Sequence, residues 1–184
     1  MTLLRRSEPE ARDLSTELRS DISPNMRRRR AVVALSSLGA ASLGLIALYQ
    51  TGIIKRLPEP KLPYLDAERV DASPEAYEWL STPDAILGVT SFGVTMTLAA
   101  MGGRDRARKQ PYIPLALAAK TVLDVFNAAR LTRDQWTKHR AFCIWCLIAA
   151  GSTLASLPFV IPETAEASRN LKTGDRKHNV KKAA

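Results

Sequence analysis

The two cysteines of this chain, Cys143 and Cys146, stand three apart in the stretch Phe142-Cys143-Ile144-Trp145-Cys146-Leu147. That stretch opens an uncharged run from Ala141 to Pro162. As a helix the run would rise roughly 33 Å, against a hydrocarbon core of about 30 Å. A dithiol therefore sits where lipid meets water, the position that thiol–quinone chemistry in a membrane needs. Mid-helix residues three apart have Cβ atoms about 5–6 Å apart, more than the roughly 3.5–4.5 Å a disulfide wants. At a first turn the backbone is freer, and its unpaired amides stabilise a thiolate. On that ground Cys143 is the accessible, exchanging thiol, and Cys146, one turn deeper, faces the interior of the bundle.

Other chemistries fit this pattern less well. Two buried cysteines can serve simply as small hydrophobes. Zinc takes four ligands, whereas His139, Cys143 and Cys146 offer three on one face, so no metal is expected. A c-type haem needs histidine directly after the second cysteine, and Leu147 stands there. A thioredoxin fold is excluded by the transmembrane setting.

The elements that must position the pair follow from how charge is distributed. The 184 residues are 46% hydrophobic with a net charge of +9, and the apolar residues lie in blocks with the charges between them. Basic residues flanking apolar spans are the mark of a membrane protein, so nucleic acid is not an expected partner. Four spans are expected, at about 31–54, 85–103, 111–131 and 141–162. Gly39 and Gly44 in the first and Gly88 and Gly93 in the second would let helices approach closely. The third carries Lys120 and Asp124 one turn apart, a spacing that suits a neutralising pair more than a proton route. Residues 1–30 and 163–184 read as basic tails, mostly disordered apart from a short surface helix through Glu8, Arg12, Leu14 and Glu17. The run of 24 uncharged residues after Arg30 exceeds a secretory h-region of about 7–15, so it is expected to be retained.

The external connection, 55–84, has seven acids and prolines at 58, 60, 63, 74 and 83. A loop this long either lies on the headgroups or closes over a site. Ser73 and Pro74 signal a short helix within it, and Tyr64, Tyr77 and Trp79 are interfacial anchors. Orientation follows from the basic residues. The N-terminal tail, the 104–110 loop and the C-terminal tail hold eighteen Lys/Arg; the 55–84 loop and the 130–140 turn hold four each. Both termini are expected in the cytoplasm, with the cysteines on the opposite side, where disulfides are permitted. The fold class is thus an all-α integral membrane bundle of four helices.

The order of elements resembles the vitamin K epoxide reductase family, which has four spans, a long external loop after the first, and Cys-x-x-Cys opening the fourth. Two short motifs carry the likeness. Phe142 to Leu147 is similar to the family's redox motif, and Ser81-Thr82-Pro83-Asp84-Ala85-Ile86-Leu87-Gly88-Val89 is similar to the start of its second span. The resemblance implies a multi-pass bacterial inner-membrane enzyme that passes electrons from protein thiols to a quinone, ubiquinone or menaquinone, in support of disulfide formation outside the cytoplasm. It implies Cys146 as the quinone-side thiol and Cys143 as the one that exchanges with a thioredoxin-like protein outside. It also places Ser81 and Asp84 as polar residues near the quinone. The family normally carries a second cysteine pair in the external loop. This loop has none, and Glu75 and Tyr77 stand in that region. Either a partner supplies the missing thiols, or the chain is a non-catalytic four-helix membrane subunit.

Overall fold

The structure, a computed structural model, describes residues 7–79 and 81–183, with side chains through Thr173. The first six residues of the expected N-terminal tail, Leu80 and Ala184 lie outside the described residues. Seven α-helices appear among them: α1 (Glu8–Ser20), α2 (Pro24–Gln50), α3 (Ala67–Asp71), α4 (Asp84–Ala100), α5 (Arg106–Lys109), α6 (Tyr112–Asp134) and α7 (Ile144–Ala183). A 3-10 turn, Pro74–Tyr77, lies in the loop between α3 and α4, and a single π-turn, Gln135–His139, extends α6.

Four of these helices pack as an all-α bundle, in which α2 lies against α4 and α7, while α6 packs on α7 and more lightly on α4. Three segments are long and apolar enough to cross a membrane: Pro24–Gln50, Tyr112–His139 and Ile144–Thr173. The remaining bundle helix, α4, is apolar but has 17 residues, a length of about 25 Å. Large apolar side chains on all four helices face outward, among them Leu38, Val94, Phe126 and Leu154. Such a surface suits lipid, because water-soluble monomers rarely expose broad apolar patches. Two interior clusters hold the helices together. Val32, Ala99, Leu117 and Val160 form one, and Ile46, Val70, Ala85, Ala141 and Cys143 belong to the other.

Small residues at the α2–α4 contact work at two of the four expected positions. A methyl at Gly39 would overlap the Phe92 ring, and one at Gly88 would overlap Leu43, so these two glycines let the helices close up. Gly44 and Gly93 face open space and have no such role. Lys120 and Asp124 pair directly on α6. The Lys120 ammonium also donates to Ser91 Oγ at 2.9 Å, and Asp124 accepts from the Ser91 and Thr95 hydroxyls of α4. This is a satisfied polar joint between two helices, the neutralising pair that the spacing suggests.

The short surface helix expected through Glu8, Arg12, Leu14 and Glu17 forms as α1, but the bundle helices run further into both tails than the uncharged runs suggest. Helix α1 spans 8–20, closed by a capping box between Ser7 and Glu10, and α2 starts at Pro24, seven residues before the uncharged run. The start is set by Ser23, whose Oγ accepts the Met26 amide at 3.4 Å, with Pro24 at the first helical position. At the other end α7 runs on past Pro162 and through residues expected to be disordered.

An ion cluster explains both extensions. Glu163 of α7 is buried and accepts from two equally buried arginines, Arg29 of α2 at 2.9 Å and Arg106 of α5 at 2.8 Å. Arg29 also donates to the Gly102 and Gly103 carbonyls, and Arg106 donates to those of Leu98, Ala99 and Met101 at the end of α4. Those carbonyls lack helical partners, and a cation there complements the helix dipole. Short contacts nearby add Asn25 to Glu166 and Asn170 to the Ala107 carbonyl. The basic segments therefore meet at one end of the bundle.

Removing one partner of a buried ion cluster strands the rest without compensation, at a cost of about 3–5 kcal/mol. Glu163→Ala is expected to destabilise the detergent-solubilised protein by that amount, read from its unfolding transition. Glu8→Ala, which breaks only an exposed pair with Arg12, should leave the transition where it is.

Candidate functional site

At the opposite end from that cluster, α7 begins. Its first intrahelical bond runs from the Leu147 amide to the Cys143 carbonyl, which makes Cys143 the N-cap residue. The Cys143 sulfur then does what a serine or aspartate oxygen does at other helix starts. It accepts the amide of Cys146, the third helical residue, at 3.2 Å. Amide donation of this kind stabilises negative charge on sulfur. Both cysteines are free thiols, and their sulfurs and an Asp71 carboxylate oxygen all lie within 4.8 Å of one another.

Three neighbouring segments close the mouth. Gln135, at the start of the π-turn, accepts the Cys143 amide through Oε1 at 3.1 Å. Such single π-turns occur often at functional sites, and this one hands the chain to Arg140, whose left-handed backbone (φ 52°) turns it back into α7. Trp136 stacks on Phe142 and meets Tyr64 edge-on, with Arg140 over its ring. Glu59 of the loop caps two helices at once, its carboxylate accepting the Ala67 amide at 2.6 Å and the Ile144 amide at 3.2 Å. The backbone of Phe142 pairs with the loop on both sides, donating to the Tyr64 carbonyl and accepting from the Asp66 amide. Trp145 donates its indole N–H to the Pro58 carbonyl at 3.0 Å.

The loop thus lies over the thiols, and this reverses the expected accessibilities. Cys143 is 0% exposed, while Cys146 is only partly buried. An N-cap position does free the backbone, as expected, but Glu59, Gln135 and the paired strand of loop cover what it frees. Cys146, like Leu43, Ala47 and Trp145, packs against the buried apolar cluster that includes Ile46, Leu57 and Val70.

Asp71 is the site residue that sequence reasoning missed. It ends α3 and is 3% exposed. One carboxylate oxygen accepts the Cys146 S–H at 3.5 Å; the other, Oδ2, is buried with no hydrogen-bond partner among the described residues. Burial is the main cause that raises its pKa from 3.8 to about 6, with the charges of Asp84 and Glu59 adding to it and hydrogen bonds from both thiols opposing it. Gln50, at the end of α2, ties this acid to α4. Its amide donates to the Asp71 carbonyl at 3.1 Å and to Asp84 Oδ1 at 2.8 Å, and it accepts the Ala85 amide. Asp84 is thus linked to the backbone of Asp71 by two hydrogen bonds, both made by Gln50. Ser81 is exposed, at φ 50°, and none of the described hydrogen bonds joins it to the thiols. His139 does not join the group formed by Asp71 and the cysteines.

The raised Asp71 pKa carries a stability consequence. Between about pH 4 and 6 the folded protein holds a proton that the unfolded chain has released, so stability falls as pH rises through that window. A shift of about 2 units corresponds to about 3 kcal/mol at most. Asp71→Asn is expected to remove this step, so that its stability relative to the parent rises from about pH 4 to 6 and is level above, as unfolding of the reduced protein at a series of pH values would show.

The sequence pattern of the vitamin K epoxide reductase family matches residues 30–161, or 132 of the 184. No curated protein and no solved structure matches the chain. The matched stretch holds the bundle, the covering loop and both cysteines. The chain belongs to the vitamin K epoxide reductase family.

Proposed function

We propose that this protein is a multi-pass membrane oxidoreductase that passes electrons from protein thiols to a quinone through Cys143 and Cys146. Family membership implies thiol–quinone chemistry. The observation that carries it to these residues is a free dithiol at a helix mouth, its outer sulfur held by a backbone amide and its inner one against an apolar wall. When bound, the quinone accepts the two electrons and two protons that the dithiol gives up on closing to a disulfide. The chain's part is to hold the two sulfurs within bonding reach, to keep bulk water off Cys143, and to set Cys146 toward the apolar side. Ser81 and Asp84, the latter held by Gln50, are the polar residues that this reading places near the quinone.

Restoring the dithiol needs a thiol donor. With no cysteine outside the pair, that donor brings its own thiols, as a thioredoxin-like protein on the external side would. The buried state of Cys143 adds a condition, because the 55–84 loop must lift from α7 before this sulfur can be attacked. The loop is then a lid, opened by the donor. The lack of loop cysteines is also what favours the second reading, a non-catalytic membrane subunit. Mixing the reduced protein with a short-chain quinone separates the two. Loss of both thiols with formation of the Cys143–Cys146 disulfide, abolished by replacing either cysteine, is the result expected. Both thiols remaining free in the presence of a demonstrably reactive quinone would establish the subunit reading.

The grouping of basic segments at one end of the bundle supports a topology with both termini in the cytoplasm, of a bacterial inner membrane in this reading. Single cysteines at the exposed positions Glu78 and Lys109, in a background lacking the native pair, test it. Glu78→Cys should react with an impermeant thiol reagent in intact cells, and Lys109→Cys only after lysis. The reverse pattern would overturn the orientation.

A further inference from the structure

Of the seven acids in the 55–84 loop, Asp71 is the one that is buried, and neither a helix cap nor a cation among the described residues holds it there. Glu59 caps two helices, Asp66 caps α3 through the Arg69 amide, and Asp84 is held by Gln50. Asp71 caps nothing. It is 3% exposed, no cation contacts it among the described residues, and one of its oxygens has no partner. Its other oxygen receives the Cys146 thiol at 3.5 Å. A buried carboxylate with one oxygen left unpartnered is costly, so its presence at this place calls for a use.

The geometry points to Asp71 as the base that takes the thiol proton of Cys146 when the pair is oxidised. In this step the S–H bond of Cys146 breaks, an O–H bond forms on the Asp71 carboxylate, and the electron pair stays on sulfur; nothing is oxidised or reduced. The sulfur is then the nucleophile for whatever oxidant stands at the apolar side. Over the whole oxidation two S–H bonds give way to one S–S bond, and two electrons and two protons go to the quinone, one proton by way of Asp71. The role rests on the thiol–quinone reading and deepens it. It also gives Cys146, which packs against an apolar cluster, an acceptor for its proton at hydrogen-bond distance.

The groups that face Asp71 are consistent with a neutral-range base. Cys143 and Cys146 of α7 donate toward it, while Tyr49 of α2, Asp84 at the head of α4 and Glu59 in the loop bring no positive charge. Burial, with the acids adding, lifts its pKa to about 6, so it is ionised and ready to accept near neutral pH.

The test follows oxidation of the reduced full-length protein over about pH 4.5–10, with two probes: a short-chain quinone, and dithiodipyridine, an aromatic disulfide that oxidises a dithiol without any quinone. Wild-type rates should rise through a limb centred near pH 6 and then level off. Asp71→Asn should lack that limb, run about tenfold or more slower near pH 7 and gain on wild type as the pH rises toward about 10, where hydroxide can take the proton instead. Asp71→Glu should keep the limb. An Asp71→Asn defect that persists undiminished at about pH 10 would mark a structural role and overturn the proposal, as would an unchanged rate near pH 7. A limb seen with dithiodipyridine but no reaction with quinone would uphold the base and sink the quinone reading.

Discussion

Every helix start leaves amides that nothing inside the helix can satisfy, and the start of α7 is the one on which this structure turns. A helix that begins at a membrane face must find acceptors there from the chain itself or from water. The acceptors here come from three directions: the Cys143 sulfur for Cys146, the Glu59 carboxylate for Ile144, and the Gln135 side chain for the preceding Cys143 amide. Satisfying the amides thus brings the 55–84 loop and the end of α6 onto the two cysteines. Cover, orientation and chemistry have one physical origin. The same carboxylate that caps α7 also starts α3, which delivers Asp71 to the thiols.

The far end of the bundle solves the complementary problem. There the carbonyls at the end of α4 need donors, and Arg106 supplies them while Glu163 holds the guanidinium in place. Arg29 reaches the following turn and the same acid. The two ends differ in how they are built. Side-chain acceptors, a thiol among them, close the mouth at the cysteines, whereas a dense ion cluster locks the other end. A bundle anchored at one end and latched by a few hydrogen bonds at the other can let its loop lift without coming apart.

Much of this was legible in the sequence. The uncharged runs gave the bundle helices, and the cysteines stood at the head of the last one as their place in the run implied. The spacing of four between Lys120 and Asp124 foretold their pairing. What was not legible depended on contacts distant in sequence. Nothing local separates Asp71 from the other loop acids; its partner lies 75 residues away. Glu59 and Ile144 are 85 apart. The accessibility of Cys143 was misread for the same reason, because its cover is made by residues far from it in the chain. The tails were misread through charge. Arg29 and Glu163 look like solvated tail residues until each is seen to neutralise the other across 134 positions. The Ser23-Pro24 start, by contrast, was a local signal strong enough to have been used.

The account stands on the claim that the loop seals Cys143 while leaving Cys146 partly exposed. Differential alkylation of the reduced native protein, with the order of modification at the two cysteines followed by mass spectrometry, tests it directly. Cys146 should be modified first, and Cys143 should stay protected until the loop is displaced. Modification of Cys143 ahead of Cys146 in the undisturbed protein would contradict it.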